Sequence, residues 1–359
     1  MEAYTPGKPA AEVTRELGVS PVIKLASNEN PLGPSPKAIE AVKKAAERMH
    51  AYPDASGFDL KQAIANHFQM PVETVFLGNG SDELIHMLGL LFLDSPEDEL
   101  MVGDPSFVRY DAAAFLAPAK LVKVPLDSTF THDLAAMARA ATAKTKLVFV
   151  ANPNNPTGTM VSHADLLAFR GDLPKSAMLV LDEAYFEFAA DAPGYPNSLE
   201  MIRDGLDVVA LRTFSKAYGL AGIRVGYGFA PAAVVDAFNR AREPFNVNAL
   251  AQAAAVAALQ DDAHIRATME NNARGMARIA DALKSVGATP YPSYGNFVFA
   301  DLHRPCGPIV QALMEHGIVI RGGQMFGTPT CVRVSIGTDH EVDRFVEEIQ
   351  AAMKETANR

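Results

Sequence analysis

The chain has 359 residues, 48% of them hydrophobic and 21% charged, enough material for about two globular domains with real cores. Its formal net charge is −10, with acidic and basic residues mixed along the chain. That excludes the basic face a nucleic-acid partner needs, but not local basic pockets for anionic ligands.

In chain order, the start (MEAYTPGKPAAEVTREL) holds no apolar signal core. Residues 1–28, rich in proline and polar groups, read as an N-terminal arm joining the smaller domain. Residues 36–49 have helical spacing behind a leading proline. The longest apolar run, residues 84–93, is interrupted by His86 and too short to span a bilayer. Up to about residue 230, short apolar runs at 99–103, 121–124, 146–151, 178–182, 208–211 and 224–229 alternate with amphipathic helices. Such runs are strands buried on both faces. The expected fold class is therefore α/β, with a large domain (29–247) built on a mostly parallel central sheet flanked by helices.

Beyond Asn248 the pattern changes. Helical stretches at 249–260 and 262–286 lead into strands at 297–301, 318–321 and 331–336 and a terminal helix at 340–353. A smaller α/β domain (248–359) is expected there. Cys306 and Cys331 lie far apart without metal-type spacing, so reduced thiols, no metal and a cytoplasmic location without a membrane partner are expected.

Four blocks carry chemistry. In residues 211–228 (LRTFSKAYGLAGIRVGYG) an apolar strand runs into a hydroxyl-bearing turn, then Lys216, then glycines. A lysine amine of lowered pKa forms a Schiff base with an aldehyde cofactor, and Thr213, Ser215 and Arg224 supply the pieces of a phosphate site. A lone lysine is ordinarily a solvated surface group, and only these neighbours argue otherwise. In residues 178–185 (MLVLDEAY) Asp182 comes directly off a buried strand, where a carboxylate keeps a pyridine nitrogen protonated; Tyr185 follows three residues on. Alone, this block reads equally as a helix cap after a strand. Residues 151–158 (ANPNNPTG) form a rigid loop in which Asn155 offers an amide donor. Residues 76–84 (FLGNGSDEL) bring Gly80, Ser81 and Asp82 to a helix N-terminus, which suits a phosphate as well as plain capping.

Together and in this order, the four blocks resemble the pyridoxal-phosphate aminotransferases of the aspartate aminotransferase fold, and among these the histidinol-phosphate group. The resemblance spans nearly the whole chain and includes KLASNENP (24–31), YPD (52–54), GNF (295–297) and RVSIGT (333–338). It implies pyridoxal 5'-phosphate as cofactor, held covalently by Lys216, which then carries the proton between the substrate Cα and the cofactor. It implies Asp182 on the pyridine nitrogen, Asn155 and Tyr185 on the phenolic oxygen, and Gly80, Ser81, Asp82, Thr213, Ser215 and Arg224 around the phosphate. Phe107 falls where the family stacks an aromatic ring; many relatives have tyrosine there, so a hydroxyl is missing. Tyr110 is a second aromatic nearby, for which plain helix packing is the competing reading. Tyr52 resembles the tyrosine that reaches the neighbouring subunit's cofactor, which implies a homodimer.

For the substrate, the resemblance assigns Arg333 to its acidic group, Arg321 to a phosphate and Tyr4 to closure of the arm. Forked guanidiniums suit phosphate and carboxylate alike, so the pair serves histidinol phosphate in one half-reaction and glutamate in the other. The implied reaction interconverts L-histidinol phosphate plus 2-oxoglutarate with imidazole acetol phosphate plus L-glutamate, in histidine biosynthesis. An aromatic amino-acid aminotransferase is the alternative, since RGGQMF (321–326) suits either substrate. A decarboxylase of amino-acid phosphates uses the same cofactor frame.

Overall fold

The computed structural model describes residues 8–357. Within the proline-rich start, Ala10–Leu17 forms a helix that buries Val13 and ends at Gly18 in the left-handed conformation. The chain then enters β1 (Ile23–Lys24).

Seven strands build the main sheet: β2 (Val75–Gly78), β3 (Glu99–Asp104), β4 (Lys120–Pro125), β5 (Thr145–Ala151), β6 (Met178–Asp182), β7 (Val208–Thr213) and β8 (Gly226–Phe229). Their order is β2-β8-β7-β6-β5-β3-β4. Only β8 runs against the others, pairing antiparallel with β7 and β2. Strand side chains alternate between faces. In β6, Leu179 and Leu181 join one core while Met178 and Val180 join the other. Helices cover both cores, so apolar residues fill both faces, as the runs in the sequence require.

The expected strand at 224–229 begins two residues late. Arg224 stands in the left-handed region (φ 59°) and is part of the turn, not the ladder. β2 was not among the expected strands.

The C-terminal part contains β9 (Thr289–Pro290), β10 (Phe297–Asp301), β11 (Ile318–Val319), β12 (Arg321–Gly322) and β13 (Cys331–Ser335). β12-β13-β10-β9 form an antiparallel sheet, and β11 pairs in parallel with β1. The single strand expected at 318–321 is thus two strands. Ile318 and Val319 pair with the arm, whereas Arg321 turns to pair with Arg333. Helix Asp262–Ser285, about 36 Å long at 1.5 Å per residue, packs against β9, β10 and helix Asp339–Ala357. Ile279, Leu283, Val334, Phe345 and Ile349 share the core between them. Among the described residues no helix is long and apolar enough to cross a membrane.

At the carboxyl ends of β6 and β7 lies a buried ion pair. Arg212 Nε donates to Glu183 Oε2 at 2.8 Å, with the side chains 2% and 1% exposed. The guanidinium carbon sits 3.4 Å from the Phe186 ring centroid. Burial raises the proton affinity of Glu183, and Arg212 opposes that rise. Removing one member leaves a charge stranded in the core. Glu183→Ala is expected to cost about 3–5 kcal/mol of stability, read by denaturant unfolding of the ligand-free protein. A loss below about 1 kcal/mol would mean that Arg212 finds another acceptor.

Candidate active site

A cleft of about 660 Å³ opens at the carboxyl ends of β5, β6 and β7, where open α/β sheets place their ligands. Pro153 and Asn155 reach it from the loop after β5, Asp182 and Tyr185 from the end of β6, and Thr213, Ser215 and Lys216 from the end of β7. Helix Ser81–Phe92 points its N-terminus at the same space.

Gly80 is the N-cap of that helix, and no side chain caps it. The first-turn amides and the positive end of the helix dipole are therefore turned toward the cleft, which Ser81 and Asp82 line. Arg224 Nη1 donates to Ser215 Oγ at 3.4 Å and to the Ala221 carbonyl at 3.1 Å, while Nη2 donates to Asp82 Oδ2 at 3.3 Å. Thr213 Oγ1 donates to Ser215 Oγ at 2.9 Å. Two glycines make this convergence possible. A Cβ on Gly226 would fall 2.5 Å from the Ser81 nitrogen, and one on Gly80 would fall 2.3 Å from Arg224 Nη2. Hydroxyls, amides and a guanidinium so arranged form an anion cradle.

Asp182 is 4% exposed. Its Oδ2 accepts from the Tyr110 hydroxyl at 2.7 Å and its Oδ1 from the Ala184 amide at 3.2 Å. Burial pushes its pKa up to about 6, against the pull of the Tyr110 hydrogen bond. Tyr110, expected only as a second aromatic nearby, enters the site through its hydroxyl. The two residues lie 72 positions apart in the chain, and no local pattern links them.

Lys216 lines this cleft and a second one of about 490 Å³, together with Phe107, Asn155 and Tyr185. Its Nζ donates to the Ser27 carbonyl at 3.2 Å. Burial pushes the amine down to about 8, and the positive charge of Arg333 adds to the shift. Tyr185 Oη accepts from Asn28 Nδ2 at 2.8 Å, and Asn155 Oδ1 accepts from Arg333 Nη1. Asn28 belongs to the KLASNENP stretch but carried no expected role. It is buried, left-handed (φ 54°) and bonded to Ser335 Oγ through its own amide, a conformation asparagine tolerates well.

The second cleft holds the arginines. Arg321 of β12 and Arg333 of β13 are direct antiparallel partners, so both side chains project from the same face. Met325 and Phe326 complete the wall. Arg333 Nη2 also donates to the Ala26 carbonyl at 2.9 Å.

Of the expected residues, Tyr52 is not brought in. Its ring, 83% exposed, stacks on Phe245 with centroids 4.7 Å apart and lines neither cleft. Tyr4 lies outside the described residues.

The depressed amine has a direct readout. The neutral lysine is the nucleophile, and it appears as pH rises through the pKa. Reductive trapping of Lys216 by a small aldehyde in the ligand-free protein is expected to follow a midpoint near 8, located by peptide mass spectrometry. A midpoint at the ordinary 10.5 would contradict the assigned environment.

Residues 20–349 match the family model for aminotransferase class I and II. Histidinol-phosphate aminotransferase of Moorella thermoacetica is 47% identical over 98% of this chain and 90% of its own length. That of Bacillus velezensis is 41% identical over 95% and 94%. The histidinol-phosphate aminotransferase of Sinorhizobium meliloti, solved in complex with pyridoxal-5'-phosphate, superposes with a TM-score of 0.91 at 30% identity, covering 98% of this chain and 96% of that one. Aspartate aminotransferase of Rhizobium meliloti shares the fold, with a TM-score of 0.83 at 22% identity over 96% and 94%. By sequence and by fold, this chain belongs to the class I and II aminotransferase family.

Proposed function

We propose that this transaminase exchanges an amino group between L-glutamate and imidazole acetol phosphate, giving L-histidinol phosphate on the route to histidine. The observation that carries the substrate choice is the pairing of Arg321 with Arg333 across one antiparallel register. Two guanidinium-bearing side chains on one face of a cleft ask for a doubly charged or two-headed anion. A phosphate monoester meets that demand, and so does the second carboxylate of glutamate. Phenylalanine would fit Phe107 and Phe326 but brings only one carboxylate to two cations.

The residues present fit pyridoxal 5'-phosphate. The uncapped helix N-terminus and the Gly226 approach leave room for a phosphate, and the buried Asp182 carboxylate calls for a cationic partner. When bound, the cofactor supplies an aldehyde for covalent capture of amines and a ring that draws electrons from the substrate Cα.

In this reading Ser81, Asp82, Thr213, Ser215 and Arg224 hold the phosphate, with Gly80 opening the turn. Asp182 holds a proton on the ring nitrogen, Asn155 and Tyr185 orient the phenolic oxygen, and Phe107 covers the ring face. Lys216 Nζ removes the Cα proton of the bound substrate as the neutral amine that its surroundings favour. Arg321 and Arg333 fix the anionic ends of the substrate, which sets the Cα proton toward Lys216.

We also take the enzyme to be a cytoplasmic homodimer in which Tyr52 serves the phosphate site of the second subunit. The exposed ring outside its own cleft supports this. Sedimentation equilibrium is expected to return twice the 38.4 kDa chain mass, and a monomer would remove the role of Tyr52.

The deciding experiment is a panel of half-reactions followed by loss of the cofactor's visible absorption. Histidinol phosphate is expected to react about a hundredfold faster than phenylalanine, the value of one extra charged hydrogen-bond pair. Equal or reversed rates would favour the aromatic aminotransferase, and release of CO2 the decarboxylase. Lys216→Ala should abolish turnover, and an active variant would overturn the whole assignment.

A further inference from the structure

Tyr110 holds an unusual position for a residue that packs a helix. It lies on helix Arg109–Leu116, is fully buried, stacks on Phe149 with centroids 4.6 Å apart and planes at 16°, and stands edge-on to Phe107 at 5.7 Å. A phenylalanine would give the same ring contacts without burying a hydroxyl. A buried hydroxyl is costly unless it is hydrogen-bonded, and the partner here is the Asp182 carboxylate at 2.7 Å.

Resting on the pyridoxal-phosphate reading, we infer that Tyr110 is a positioning residue for this transaminase, its hydroxyl holding Asp182 as an oriented carboxylate aimed at the cofactor's ring nitrogen. Two donors on two different oxygens, Tyr110 and the Ala184 amide, fix the plane of the carboxylate. They also set its charge. Burial raises the proton affinity of Asp182, and the facing carboxylates raise it further: Asp82 from helix Ser81–Phe92 and Glu183, the residue that follows β6. Tyr110 is the side chain that opposes them. Tyr110 stays a donor, because burial and the Asp182 charge hold its own pKa well above the ordinary 10. The same side chain abuts Phe107, so the group that sets the charge at the ring nitrogen also braces the ring's stacking partner.

The test uses the holoenzyme and the isosteric variant Tyr110→Phe. With a weaker anion at the ring nitrogen, less electron density is drawn through the ring. The spectrophotometric pKa of the lysine-linked cofactor is expected to rise by about half a unit or more, and kcat to fall about tenfold, the value of one hydrogen bond to a charged group. KM for glutamate should stay within about twofold, since the arginine cleft is untouched. Phe149→Leu serves as the packing control. It removes the stack but keeps the hydroxyl, so it should lower the unfolding temperature and leave the spectral pKa within about 0.2 of wild type. An unchanged spectral pKa in Tyr110→Phe, or an equal shift in both variants, overturns the positioning role. A wild-type protein without the cofactor's absorption band would instead sink the underlying reading, which keeps the two failures distinct.

Discussion

Burial of the main sheet on both faces is the constraint from which the site follows. Strands β5, β6 and β7 offer alternating side chains to two apolar cores, so no polar group can stand along their length without a partner. Chemistry is confined to where the strands stop. Asn155, Asp182 and Lys216 each come within a few residues of a strand's carboxyl end, and parallel pairing brings those ends level with one another. The antiparallel β8 then returns Arg224 and Gly226 to the same edge, against the start of helix Ser81–Phe92.

The electrostatics of the cleft share one cause. Withdrawal from water disfavours charge on both Asp182 and Lys216, raising the first to about 6 and lowering the second to about 8. For the lysine this favours the form that reacts. For the carboxylate it works against the form that the proposed pairing with a ring cation needs, and the Tyr110 hydroxyl offsets the effect. Burial thus acts alike on both groups, and only one of them needs a correction.

Much of this was legible in the sequence, and what was not has physical reasons. The strands at the sheet centre are unbroken apolar runs, and β6 falls at 178–182 as its pattern implies. Helix Ala10–Leu17 is hidden because it buries a single apolar side chain, Val13. β2 has four residues and owes its ladder to β8, about 150 residues downstream, rather than to any period of its own. The break after Val319 could not be read from an even apolar run, since it arises from a change of partner. In the site, residues within motifs fell together in the clefts, whereas Asn28 and Tyr110 act through side-chain bonds across 157 and 72 positions. Tyr52, assigned through the resemblance alone, lies outside both clefts and stacks on Phe245.

The side-by-side placement of Arg321 and Arg333 has a consequence for the enzyme at rest. Two cationic side chains held in register by a sheet give the cleft a standing attraction for anions of any identity. If the pair holds the substrate as proposed, inorganic phosphate and sulfate have the right charge to compete for the same place. The substrate's affinity is accordingly a difference between two occupants, and the salt in the surrounding medium is a silent participant in its specificity.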